Sequence, residues 1–97
     1  MKYLINSHRS VEEWTDIERD MPVRSKVADQ IIENFKPEVF YFYADRAGMM
    51  LIVEIDKSEI LTEISLLLRR AGLQTSIYPL ASKDDMQSIM LDMANMV

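Results

Sequence analysis

Two apolar runs joined by a short polar turn stand out in the middle of the sequence. Residues 38–55 read EVFYFYADRAGMMLIVEI. The runs are rich in aromatic and β-branched residues and have the length of strands, so the stretch predicts a β-hairpin. Neither residues 39–44 nor residues 49–55 alternate between apolar and polar side chains. Both faces of this hairpin are therefore expected to be covered.

The segment before the hairpin predicts a strand followed by a long helix. Residues 2–8 (KYLINSH) form the strand, and residues 10–13 (SVEE) have the form of a capping box at the start of the helix. One straight helix over residues 10–35 would be about 39 Å long, whereas a seven-residue strand spans about 23 Å. Pro22 is therefore expected to break or bend the helix so that it stays on its sheet.

The segment after the hairpin predicts a helix, a strand and a second helix. Residues 56–59 (DKSE) resemble another capping box, and Gly72 is a suitable residue to end the helix. Residues 73–80 alternate in polarity and contain Pro79, which is typical of an edge strand. Residues 82–85 (SKDD) predict the start of the last helix, whose apolar stripe is expected to dock on this chain or on a partner: Met86, Ile89, Met90 and Met93.

The resulting order is β-α-β-β-α-β with a C-terminal helix. Two helical crossovers around a central hairpin predict an α+β, ferredoxin-like domain over residues 1–97, with an antiparallel sheet and both long helices on one face. The hairpin would then expose large apolar side chains on the other face. Because such a patch is uncommon on a monomer, we expect a homodimer through the open sheet face, giving a dimeric α+β barrel.

Three stretches of the chain resemble a known family. The opening MKYLI, the hairpin EVFYFYADRAGMMLIVEID and the ending TSIYPLASKDDM are similar to muconolactone-isomerase-like members of the dimeric α+β barrel superfamily, most of all to small uncharacterised bacterial members. The resemblance implies the ferredoxin-like fold and its pairing. Its members include isomerases, cofactor-free monooxygenases, haem-degrading enzymes and stress-response proteins, so no single chemistry follows from it.

Five side chains are candidates for a site. His8 lies near the end of the first strand as a candidate catalytic base or haem ligand, and Asn6 shares its face of the strand. Tyr41 and Tyr43 lie on one face of the hairpin, and Tyr78 approaches from another strand. Phenols in an apolar pocket orient small aromatic ligands, but Tyr also fills cores and interfaces, and a lone His is often a simple strand-end residue.

Composition narrows the classes of partner and compartment. The net charge of −5 argues against nucleic acid, which requires clustered Lys and Arg. The chain has no cysteine and one histidine, so we expect neither a metal site nor a cofactor. With two glycines there is no phosphate-binding loop. No apolar run is long enough for a membrane span and no secretory signal is visible, so a cytoplasmic location is expected.

Two functions from different classes remain open at this point. The first is a homodimer that binds a small apolar or aromatic molecule, with or without activity as a cofactor-free isomerase or monooxygenase. The second is a non-enzymatic interaction or regulatory module that uses its apolar sheet face to bind another protein. A cavity and a packed interface use the same residue types, so the sequence alone does not separate them.

Overall fold

The computed structural model describes the backbone of residues 1–9 and 14–96, and the side chains of residues 1–9 and 19–96. The capping box predicted at residues 10–13 lies outside the described residues. The elements run in the order β1 (Lys2–His8), α1 (Trp14–Phe35), β2 (Val39–Phe42), β3 (Gly48–Glu54), α2 (Ser58–Arg70), β4 (Gln74–Leu80) and α3 (Lys83–Asn95).

The strands form one antiparallel sheet in the order β2-β3-β1-β4. The central strand β1 pairs with both β3 and β4, so that Ile5 lies opposite Leu51 on one side and Ile77 on the other. Consecutive strands β1 and β2, and likewise β3 and β4, are connected through a helix. The predicted α+β, ferredoxin-like arrangement with an edge strand β4 is confirmed.

The first helix is not broken at Pro22, so that alternative is wrong, whereas a bend there stays a prediction. Helix α1 continues from Trp14 to Phe35 through Pro22, which is exposed. Proline removes one backbone hydrogen bond and crowds the preceding turn. The second half of α1 offsets that cost by burying Val27, Ala28 and Ile31 against the sheet and α2.

The predicted capping box of α2 is also wrong, although the predicted helix is present. Lys57 occupies the N-cap position, and no side chain accepts a hydrogen bond from the first turn there. A lysine side chain has no acceptor atom, and Asp56 lies one position too early to cap this helix. Tertiary burial of Ile64 and Leu68 holds α2 in place instead.

Both long helices cover the same face of the sheet. Leu51, Val53 and Ile5 on that face are at most 1% exposed. Side chains at the alternate positions point to the other face. None of the described helices or strands buries side chains on that face. The core therefore lies between the sheet and the two helices: Ile5, Val27, Ala28, Ile31, Met49, Leu51, Val53, Ile55, Ile64, Leu68, Ala71 and Leu73.

Two hydroxyl side chains lie in this core opposite each other. Ser7 is fully buried, and its hydroxyl donates a hydrogen bond to the carbonyl of Met49 at 3.1 Å. Thr75, its neighbour on β4, has a buried Oγ1 without a hydrogen-bond partner. A buried hydroxyl that lacks a partner destabilises the folded state.

We therefore expect Thr75→Val to raise the free energy of unfolding by about 1 kcal/mol, because valine keeps the shape and removes the unpaired hydroxyl. Thermal unfolding followed by circular dichroism measures the change. Thr75→Ser is the matched control: it keeps the hydroxyl, loses a methyl group and should lower the melting temperature. A valine variant that melts below the wild type would contradict the expectation.

In the part of the chain that the structure describes, no helix is both long enough and apolar enough to span a membrane.

Candidate functional site

The five candidate residues all lie on the open face of the sheet, which is the face without helices. Asn6 and His8 lie on β1, Tyr41 on β2 and Tyr78 on β4, while Tyr43 directly follows β2. The observed register places the four strand residues on this face because they alternate with the buried residues of their strands. Two-residue periodicity thus brings together side chains that are far apart in sequence.

Asn6 and Tyr43 form a hydrogen-bonded pair at the centre of this group. The Tyr43 hydroxyl donates to Oδ1 of Asn6. The backbone N–H of Tyr43 donates to the carbonyl of Gly48 at 3.2 Å, and the Arg46 guanidinium lies 5.9 Å from the centre of its ring. These contacts hold the phenol over β1, and they leave the amide nitrogen of Asn6 available to donate.

His8 lies at the end of the open face nearest the β2–β3 turn. Its cross-strand neighbours are Gly48 on β3 and Gln74 on β4. Asn6 is two residues away on the same strand face, which corresponds to about 7 Å. The sequence predicted that Asn6 and His8 share one face of the strand, and the hydrogen bond that Asn6 makes in the structure is to Tyr43.

The two remaining tyrosines flank this polar group at the edges of the sheet. Tyr41 is 66% exposed and lies opposite Met50, and Tyr78 is 50% exposed and lies opposite Leu4. Apolar side chains fill the positions between them: Leu4, Val39, Met50 and Ile52. The open face therefore presents an apolar wall with an amide, phenols and an imidazole, groups that hydrogen-bond to oxygen substituents of a planar ligand.

A cavity of about 620 Å³ lies on the opposite, helix-covered side, between α1 and the β2–β3 turn. Sequence reasoning did not predict it. Helix α1 contributes Met21, Arg24 and Ser25 to its lining, and the hairpin contributes Phe42, Met49 and also Tyr43 among others. Its size and its mixture of apolar and polar walls fall in the range of small-molecule pockets.

Arg24 is the most buried charged side chain of this cavity, at 7% exposure. Its Nε donates to the carbonyl of Ala71 at 3.4 Å, and its Nη2 lies 3.6 Å from Asp20. Asp20 also contacts Arg19 at 2.9 Å and Arg9 at 3.3 Å. The hydrogen bond from Arg19, together with the surrounding guanidinium charge, lowers the pKa of Asp20, so this carboxylate stays ionised at neutral pH.

The sequence does contain a signal for Arg24. It precedes Val27, Ala28 and Ile31 by three, four and seven positions, which places it on the apolar stripe of α1. A charged residue at such a position is buried and needs partners. This signal indicates a polar contact within the core, and it does not by itself indicate a cavity.

Within residues 1–9 and 19–96, no three His, Cys, Asp or Glu side chains come together in a way that could hold a metal ion.

Comparison with known proteins supports the fold and leaves the chemistry open. No protein-family model matches the chain, and no curated protein matches its sequence. Among solved structures, the chain is similar to the 5-chloro-2-hydroxyhydroquinone dehydrochlorinase of Burkholderia phenoliruptrix in complex with 2,5-dihydroxybenzoquinone, with a TM-score of 0.63 and 13% identity. The match covers 87% of this chain and 97% of that enzyme. At this identity the likeness establishes a shared fold.

Proposed function

We propose that the protein is a homodimer that binds a small aromatic molecule bearing hydroxyl or carbonyl groups on its open sheet face. The observation that carries this proposal is the Asn6–Tyr43 hydrogen bond. It holds two polar groups at fixed positions beside the apolar side chains of Leu4, Met50 and Ile52. A second open face laid over the first would enclose this surface and exclude water from it, as small-molecule sites require.

The ligand class follows from the side chains. The apolar wall formed by Leu4, Met50 and Ile52 suits a flat ring, and the Asn6 amide and the Tyr43 oxygen suit oxygen substituents at its edge. A small oxygenated quinone is bound in the dehydrochlorinase complex that shares the fold. That molecule, 2,5-dihydroxybenzoquinone, is therefore the first ligand to titrate.

If the protein is an enzyme, the His8 imidazole is the candidate general base on this face. It lies about 7 Å from Asn6 along the strand, so a ring held by Asn6 and Tyr43 would place one of its substituents near the imidazole. The corresponding chemistry is cofactor-free proton transfer or oxygenation, with Tyr41 and Tyr78 as flanking walls. His8→Ala should then reduce turnover much more than it reduces assembly.

We expect Tyr43→Phe to weaken the binding of 2,5-dihydroxybenzoquinone about tenfold, because it removes one hydroxyl and frees the Asn6 amide from its fixed orientation. Isothermal titration calorimetry on the purified protein measures the dissociation constant. Tyr3→Phe is the matched control, since it removes the same hydroxyl from the face that the helices cover. Equal effects of the two substitutions would contradict an open-face site.

The cavity beside α1 is the competing location for such a ligand. Ser25 lines that cavity and is exposed, so Ser25→Trp would fill it without altering the open face. Tyr43 lines this cavity as well as the open face, whereas Asn6 does not line it, so binding that survives Ser25→Trp and weakens in Asn6→Ala supports the open face. The reverse pattern would place the ligand in the cavity, and the absence of binding in every oxygenated aromatic titration would favour an interaction module.

A further inference from the structure

The C-terminal helix α3 is a well-formed helix whose side chains do not pack into the core. A capping box starts it: Asp85 N–H donates to the Ser82 side chain at 3.0 Å, and Ser82 N–H donates to the Asp85 carboxylate at 3.3 Å. Every described residue of α3 is exposed. Large apolar side chains in and directly after this helix are between 42% and 84% exposed: Met86, Ile89, Met90, Leu91, Met93 and Met96.

The helix does not dock on its own sheet. Only Ala81 and Ser82 separate it from β4, and a cleft of about 700 Å³ lies between α3 and the sheet end at Lys2 and Leu80. On the helix side, Ile89 is the large apolar residue that lines this cleft. Met90 and Met93 do not line it, so the most exposed part of the stripe faces away from the chain's own strands.

The overall dimensions show that a large surface is uncovered. The radius of gyration is 16.1 Å, against about 12.5 Å for a compact domain of this length. The exposed surface is 7175 Å², against about 5,700 Å² for a compact monomer of this mass. The excess of about 1,400 Å² exceeds the roughly 800 Å² that each partner buries in a standard protein–protein interface.

A helix of this length is also marginal in water without tertiary contacts. Two uncovered apolar surfaces therefore lie on the same chain, the open sheet face and the α3 stripe. A second copy supplies the same two surfaces, and a two-fold arrangement buries all four in one closed assembly. An unrelated partner would need to match both surfaces separately.

We propose that α3 is a dimerisation arm whose stripe of Met86, Met90 and Met93 packs against a second copy of this chain, beside the paired open faces. This inference rests on the homodimer of the proposed function and adds the element that holds the two copies together. The arm would also close the interior at the Leu80 end of the sheet, since α3 begins there. Methionine suits this role because its flexible side chain adapts to an irregular surface.

The test introduces two charges into the stripe. We expect Met90→Glu with Met93→Glu to raise the dissociation constant of the dimer on the order of 100-fold, because buried unpaired carboxylates oppose association. Analytical ultracentrifugation over a range of concentrations measures it. Circular dichroism should show that the rest of each subunit stays folded, since α3 buries no side chain in the core.

Leu91→Glu with Asn95→Glu is the matched control, since it adds the same two charges roughly 150° around the helix axis. This control should leave the dissociation constant within a few-fold of the wild type. If the wild type is a dimer and both double variants have the same dissociation constant, the arm is overturned and the sheet-face dimer is left in place. A wild type that remains a monomer at every concentration would overturn the homodimer itself.

Photo-crosslinking gives an independent readout of which copy the arm touches. Photo-methionine incorporated into a mixture of ¹⁴N- and ¹⁵N-labelled protein yields mixed-isotope crosslinks only between copies. We expect the α3 methionines to give mixed-isotope products with peptides from the strands of the other copy. Crosslinks from α3 found only within single-isotope products would overturn the arm.

Discussion

Gly48→Ala is expected to remove a large part of the free energy of unfolding. Gly48 opens β3 at a φ of +148°, and a Cβ there would lie 2.1 Å from the carbonyl oxygen of Ser7 and 2.9 Å from the Cα of His8. Both obstructing atoms belong to the backbone of the central strand β1, so no side-chain rotation relieves the clash. The β1–β3 pairing must open at that end instead, and it carries Ser7, the candidate residue His8 and the buried Met49.

The expected loss is at least roughly 4 kcal/mol, a large share of the 5–15 kcal/mol typical of a domain. Urea unfolding followed by circular dichroism measures it. Gly72→Ala is the matched control: Gly72 has a φ of +77° but no atom within 4 Å of the added methyl group. Its loss should be about 1 kcal/mol, the conformational cost alone. Similar losses of stability in Gly48→Ala and Gly72→Ala would mean that the backbone of β1 moves at Ser7 to make room for the methyl group, which would contradict the expected clash.

Leu51→Ala should give the second largest loss, about 2–5 kcal/mol. Leu51 is fully buried in the centre of β3, with Ile5 and Phe40 opposite it on the neighbouring strands. Truncation leaves a cavity between the sheet and the helices that its neighbours only partly fill. Chemical unfolding measures the change, which should not depend on protein concentration because this face is covered within the chain.

Ile52→Ala is the comparison that separates the two faces of the same strand. Ile52 lies on the open face and is half-buried, so its truncation should cost about 1 kcal/mol or less in a monomer. If a second copy covers this face, the cost should grow as the protein concentration rises, because burial by association is governed by mass action. If the loss of stability caused by Leu51→Ala depended on protein concentration, α1 and α2 would not fully cover their face of the sheet.

The arrangement of the candidate site was predictable in outline from residues 39–55 and 2–8. Strand periodicity puts Asn6 with His8 and Tyr41 with Tyr43, and the β-α-β-β-α-β order makes these strands neighbours. The partner of Asn6 was not predictable, because it depends on the side-chain position of Tyr43 after the strand ends. Hydrogen bonds between distant residues are set by register and side-chain geometry, neither of which the pattern specifies.

The failed expectations share one cause. The break at Pro22 and the cap at Asp56 were inferred from local rules whose energies are about 1–3 kcal/mol. Burial along α1 and α2 outweighs such terms, since each helix places several side chains of 1.5–3 kcal/mol in the core. The cap of α3 was predicted correctly because this helix has no buried side chains to override its local signals.

The sequence by itself determined the order of the elements, the antiparallel sheet and the presence of apolar residues on both hairpin faces, because periodicity and chain connectivity control these features. Only the tertiary structure decided which face the helices cover. Both faces of the hairpin are apolar, so the choice depends on the packing of Leu51 and Ile5 against α1 and α2. That choice leaves Asn6, His8 and Tyr43 on the open face and leaves α3 without a partner in its own chain.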